Sequence, residues 1–255
     1  MKFIRIAVIA VGFVLVWQVV IYVTAVPPYI LPAPSMVFRA ARVHSVSLAG
    51  HAAITLAEIL AGLLLGTLLG TASAIVMIAS RSLKRWLLPV LVMSQAIPVF
   101  ALAPLLVLWL GYGMASKIAM AVLIIFFPVT AAFYDGLRRT QPEWLELARV
   151  MNAGHLAVIR QIRIPSAMPA FASGLRVATA VAPIGAVVGE WVGSSKGLGF
   201  YMLHANARMQ IDLLFAALAV LAILALTLYF SVDIAMHKLV YWQKEDEKEE
   251  KESGK

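Results

Sequence analysis

Cysteine is absent from all 255 residues. That excludes disulfides, thiolate metal sites and thiol nucleophiles. Charge is scarce: Asp, Glu, Lys and Arg make up 13% of the chain, where a soluble domain carries about 25%. The five histidines, His44, His51, His155, His204 and His237, have no metal-ligand spacing. No nucleophile is paired with a base. No G-x-x-x-x-G-K-[ST] stretch is present to cradle a nucleotide. The loop Gly193–Gly199 has the glycines and a lysine, but Gly197 follows Lys196 where Ser or Thr is needed. It reads as a tight turn feeding a short helix from Tyr201. No cofactor is expected, and ATP hydrolysis by this chain itself is not indicated.

What the chain has instead is hydrophobicity, 62% of residues with a mean hydropathy of +0.90. Six apolar runs, Ile6–Ala25, Ile54–Ala79, Leu87–Leu110, Ile118–Tyr134, Phe171–Trp191 and Leu213–Val232, approach the roughly 20 residues a membrane-crossing helix needs. Backbone polar groups in hydrocarbon must be satisfied within the segment, so these runs are expected to be helices. The first run follows Lys2 and Arg5 and ends near a cleavage-like Val23-Thr24-Ala25. Its apolar core is longer than the about 7–15 residues of a signal peptide, so it is read as a retained helix.

The expected fold class is an all-α integral membrane protein with six transmembrane helices. Residues 1–242 would form the membrane domain. Residues 243–255, rich in both charge signs, would form a disordered cytoplasmic tail with nothing to bury. The net charge of +8 sits between the apolar runs. It therefore signals topology and contact with lipid headgroups rather than nucleic acid. Placing the N-terminus inside puts Lys2, Arg5, Arg81, Lys84, Arg85, Arg138, Arg139, Arg149, Arg160, Arg163 and Lys238 on the cytosolic side. Arg39, Arg42, Lys117, Lys196 and Arg208 fall outside. This asymmetry predicts two cytosolic termini.

Proline punctuates the runs. Pro27, Pro28, Pro32 and Pro34 predict an external turn, with Ser35 as N-cap of a short amphipathic helix to Val43. Gly62, Gly66 and Gly70 recur at steps of four on one helix face, fitted to close packing within the subunit or at a subunit interface. The third run carries Ser94-Gln95-Ala96-Ile97-Pro98 and then Pro104, predicting a polar kink and a second break. Pro128 and Pro183 predict breaks in the fourth and fifth runs. Irregular backbone at membrane depth lines cavities or lies buried in protein. Gln95, Pro98 and Pro183 are therefore candidates for a translocation path.

Between the fourth and fifth runs lies a polar, basic island, Leu137–Pro169. Thr140 is a candidate N-cap, and Pro142 suits the first turn of a helix. Asn152-Ala153-Gly154 offers residues that tolerate left-handed backbone, so a turn is expected there. A second short helix should follow and end at Pro165. Ala148 keeps one surface shallow, and Leu145, Met151, Ile162 and Ile164 supply apolar knobs. Such an element fits a groove on a partner.

The island resembles the cytoplasmic coupling loop of ATP-binding-cassette (ABC) importer permeases, whose signature is Glu-Ala-Ala, three residues, Gly, nine residues, Ile, one residue, Leu-Pro. Here the pattern runs Glu146, Leu147, Ala148, then Asn152 in the Gly position, Ile162, Ile164 and Pro165, with the spacing intact. Leu147 and Asn152 depart from it; Gly154 follows in the same turn. Leu31–Ser35, Ser94–Pro98, Ala103–Leu105, Leu108–Gly113, Ser116-Lys117, Phe127-Pro128 and Gly189–Gly199 extend the likeness over nearly the whole chain. They resemble the nitrate, taurine and aliphatic sulfonate permeases. Gln95–Pro104 and Val181–Ala186 look most like the branch for hydroxymethylpyrimidine-type thiamine precursors. The resemblance implies a type I importer permease in a bacterial inner membrane, paired with a second copy of itself. It also implies cytosolic ABC ATPase subunits on a coupling helix between helices 4 and 5, and a periplasmic or lipid-anchored solute-binding protein.

Glu190, at the outer end of the fifth run, is a further candidate. It could contact an amine on a solute, pair with Lys196 or Arg208 as an outer gate, or reach water beside the interfacial Trp191. Glu58 is read as structural. Two rival classes lack the residues they need: the acids lie near the ends of the runs, no clear repeat appears, and no catalytic set is present. An ion-coupled transporter would need acids at the bilayer midplane and internal repeats. A membrane hydrolase would need a catalytic set.

Overall fold

Small residues decide which helices can touch, and here they draw the map of the bundle. The computed structural model describes residues 2–242 and is helical throughout. The proposed tail, 243–255, lies outside the described residues. The helices are α1 (Lys2–Thr24), α2 (Pro34–Val43), α3 (Ser45–Ala79), α4 (Arg81–Ala96), α5 (Val99–Leu110), α6 (Met114–Arg138), α7 (Pro142–Val150), α8 (His155–Val158), α9 (Ile164–Gly193), α10 (Leu198–Ala207) and α11 (Ile211–Leu239). A π-helical turn, Ile159–Arg163, joins α8 to α9.

Gly62, Gly66 and Gly70 of α3 lie against Ala121, Ile125 and Val129-Thr130 of α6. Both numbers rise together, so α3 and α6 run parallel. Gly136 of α6 meets Ala167 and Ala170 of α9, while Gly185 and Gly189 of α9 meet Ala121 and Lys117. There the numbers run oppositely, so α9 is antiparallel to α6. Ile59, Leu63, Ala121, Ile125, Ala178, Ala182 and Ala186 fill the core between the three. The glycine face of the second run thus packs inside the subunit.

Among the described residues, four helices are long and apolar enough to cross a membrane: Ser45–Ala79, Met114–Arg138, His155–Gly193 and Ile211–Leu239. A fifth crossing is counted if α4 and α5, bent by 104° at Ile97-Pro98, form one broken span. In the first run only the shorter apolar stretch Val11–Thr24 is recognised. Among the described residues, length and composition thus establish four or five crossings and leave the sixth unestablished.

The proline expectations divide. The kink at Pro98 is present and sharp. Pro104, Pro128 and Pro183 instead sit inside unbroken helices. One lost N–H removes a single rung, and packed neighbours can hold the helix across it. Pro183 is buried, and Gly174 packs against the Pro128 carbonyl. At α2 the N-cap is Ala33, with Pro34 in the first turn, so Ser35 lies within the helix. α10 begins at Leu198 rather than Tyr201.

Candidate functional site

The island builds an elbow on one face of the bundle. Gln141, not Thr140, is the N-cap of α7; the Thr140 hydroxyl donates to the Leu137 carbonyl at 3.1 Å. Arg163 Nη1 donates to the same carbonyl at 3.2 Å. A cation at a helix C-terminus is favourable, and this one pins the elbow to the end of α6. α7 closes on Asn152, whose φ of 53° is left-handed. Ala153 N–H donates to the Ala148 carbonyl at 2.9 Å, and Asn152 N–H to that of Arg149 at 3.0 Å. This paired arrangement is the Schellman cap, and Asn is among the few side chains that accept its φ. Gly154 has an ordinary φ of -65° and caps α8.

Pro165 does not end the second helix. The chain continues as one 39-residue helix, His155–Gly193. Pro165 falls in the first turn of α9, directly after the π turn. Local π adjustment is one way a helix accommodates a proline's missing donor. The second half of the elbow and α9 are therefore one continuous element.

The elbow's outward face is apolar. Leu147 is 60% exposed and Leu156 78%, with Val150 and Met151 beside them. Glu146 is exposed and Ala148 buried, while Ile162 and Ile164 are half-buried. The outermost knobs are therefore Leu147, Val150, Met151 and Leu156. Val150 and Leu156 were not singled out in the sequence, although apolar residues inside a basic island were the available signal. A cleft of about 650 Å³ opens here, lined by Trp144, Leu147, Ala148, Met151, Ile162 and Trp242 among others.

At the opposite face, three charged groups from three helices are buried together. Lys117 Nζ lies 2.5 Å from Glu58 Oε1 and 2.9 Å from Ser194 Oγ. Glu190 is 1% exposed. Its Oε1 accepts from Thr55 Oγ1 at 2.6 Å and its Oε2 from Gly199 N–H at 2.5 Å. Leu198 N–H donates to Thr55 Oγ1 at 2.8 Å, and Gly197 N–H to His51 Nδ1 at 3.0 Å. Glu190 therefore neither pairs with Lys196 or Arg208 nor reaches water. It fastens the start of α10 to α3. Glu58 is held in a buried ion pair with Lys117, a residue the sequence marks as a topology charge and as part of the family likeness but not as a partner of Glu58. Opposite charges at matching depth in three apolar helices were the missed signal.

A second pin joins α9 to α11: Arg176 Nε lies 2.6 Å from Asp233 Oδ1, and Arg176 Nη2 lies 3.1 Å from His237 Nδ1. The sequence reading passed over Arg176 within the fifth run. Gln95 and Pro98 lie exposed at the α4–α5 bend, whereas Pro183 and Glu190 are buried in α9. The four candidate path residues thus do not share a surface in this chain.

The family model for the binding-protein-dependent transport system inner membrane component matches residues 62–241. The chain belongs to this family. It is 55% identical over 227 residues to a probable ABC transporter permease protein of Haemophilus influenzae, covering 89% of this chain and 93% of that one. The riboflavin transport system permease protein RibX of Chloroflexus aurantiacus is 38% identical over 231 residues, covering 89% and 85%. The formylaminopyrimidine transport permease protein ThiX of Halalkalibacterium halodurans is 35% identical over 218 residues, covering 85% and 87%. A chain of the MetNI methionine ABC transporter, solved in inward-facing conformations, shares the fold with a TM-score of 0.59 at 19% identity, covering 73% and 91%. The chain is thus the multi-pass inner-membrane permease subunit of an ABC-type importer, a transport component rather than an enzyme.

Proposed function

We propose that the elbow Pro142–Arg163 is where cytosolic ABC ATPases grip this subunit, and that their closure is carried to the outer face through α9. The supporting observation is the continuous 39-residue helix that joins the exposed apolar elbow to the buried Glu190 clamp. On this reading both termini are cytosolic and α1 makes a sixth crossing. Two copies pair around the path, Gln95 and Pro98 border it, and a binding protein delivers solute from outside. In proteoliposomes, Glu146→Arg or deletion of Asn152–Gly154 should abolish ATP-dependent uptake and weaken ATPase co-purification. An intact complex with normal uptake would overturn the docking role. Uptake that persists without ATP and collapses with an ion gradient would replace it with ion coupling.

For the solute, a pyrimidine precursor of thiamine is the reading supported by the sequence motifs and the 35% identity to ThiX. The 38% identity to RibX favours a second reading, a flavin. Both are flat nitrogen heterocycles. Mass spectrometry of the small molecule retained by the cognate binding protein decides between them. A sulfonate, taurine or nitrate in that pocket would overturn both.

A further inference from the structure

A cavity of about 300 Å³ opens beside the buried charge cluster, between the turn after α5 and the turn after α9. Its lining includes Tyr112, Lys117, Ser194, Ser195 and Lys196, and no acidic residue. Lys117 is 5% exposed, yet it borders this space. An ammonium carries three donors. Two are spent, on Glu58 and Ser194. The other oxygen of Glu58, Oε2, is buried without a hydrogen-bond partner, so it does not take the third. Lys196 stands exposed at the rim. Glu190, the nearby carboxylate on α9, is occupied by Thr55 and Gly199 and does not line the space. The cavity thus offers an unspent ammonium donor at its wall, a second cation at its rim, and hydroxyls; the carboxylates of Glu58, which pairs with that ammonium, and of Glu190 are buried behind the wall and outside the lining.

We propose that this cavity is a socket for a carboxylate presented from outside, namely an acidic side chain of the docked solute-binding protein. The proposal rests on the orientation given above. A cavity of this size admits an Asp or Glu side chain. The socket is wired to the turn it borders: Ser194 Oγ accepts from Lys117 and donates to the Lys196 carbonyl, and Lys196 N–H returns to Ser194 Oγ at 3.1 Å. A carboxylate bound at Lys117 competes with Glu58 and Ser194 for that ammonium. Docking would therefore loosen the turn that leads into α10.

The test uses the whole permease–ATPase complex in nanodiscs and the cognate binding protein, with and without its solute. Lys196→Glu reverses the rim charge without touching the buried pair. Ser195→Asp supplies a competing carboxylate from within. Both should weaken binding-protein affinity about fivefold or more at low salt, with the difference fading at high salt, and Lys196→Gln should fall between. Affinities within twofold of the unaltered complex for both variants would overturn the proposal. Weakening seen only with solute-loaded binding protein, or with free solute, would overturn the assignment to a protein side chain and give the anionic oxygen to the solute. Failure of the unaltered complex to bind any solute-binding protein would instead overturn the importer reading beneath it.

Discussion

Lys117 is the single residue whose removal should be felt most. Truncating it leaves Glu58 buried with neither carboxylate oxygen paired. Breaking a buried pair on one side costs about 3–5 kcal/mol, while replacing both partners with apolar groups is often neutral. Lys117→Met should therefore lower the melting temperature in detergent sharply, and adding Glu58→Met should restore most of it. Equal melting temperatures for the single and double variants would deny that the pair is the cause. Asn152 makes a second test. Its left-handed φ of 53° suits Asn and Gly but not a β-branched side chain. Asn152→Gly should preserve ATPase co-purification, and Asn152→Val should reduce it. At this scale the sequence was legible wherever a residue obeys a local rule, as Asn152 does. Glu190 drew notice but its partners did not, because Thr55 and Gly199 come from other segments and only the packed bundle brings them together.

At the scale of elements, close approach decides what is tolerated. A Cβ added at Gly66 would sit 2.7 Å from Ile125, whereas one at Gly12 meets nothing within 4 Å. Gly66→Leu should abolish accumulation of folded protein, and Gly12→Leu should leave it unchanged, by fluorescence-detected size-exclusion chromatography. The contrast separates packing from any general intolerance of bulk in a membrane helix. Bends show the same dependence on neighbours. Pro98 bends the chain by 104° in a poorly covered segment, while Pro183, enclosed by packed helices, does not interrupt α9. The sequence carries the proline but not the packing around it. That is why the break at Pro98 was legible and the one expected at Pro183 was misread; Pro104 is exposed, and nothing packed around it explains why α5 continues through it.

For the molecule as a whole, the question is how motion crosses it. His155–Gly193 has 39 residues. At 1.5 Å rise each it is about 58 Å long, nearly twice the hydrocarbon thickness of about 30 Å. Inserting Gly-Gly after Arg163 should leave α7 able to hold the ATPase but sever its connection to α9. The ATPase should still co-purify while uptake falls to background; normal uptake would mean the signal takes another route. The sequence located the elbow and the apolar runs, since both are written in composition and spacing. It placed a break at Pro165, because a proline after a polar stretch ordinarily ends a helix, and it could not foresee the π turn that lets the helix continue.

That uninterrupted helix has a thermodynamic corollary. An element held at both ends transmits in both directions, and coupling free energy between two binding events is reciprocal. On the proposed route through α9, whatever seats itself on the far side of the bilayer changes how tightly nucleotide is held on the near side. The energy supply would thus be informed of an arriving cargo before any cargo has moved.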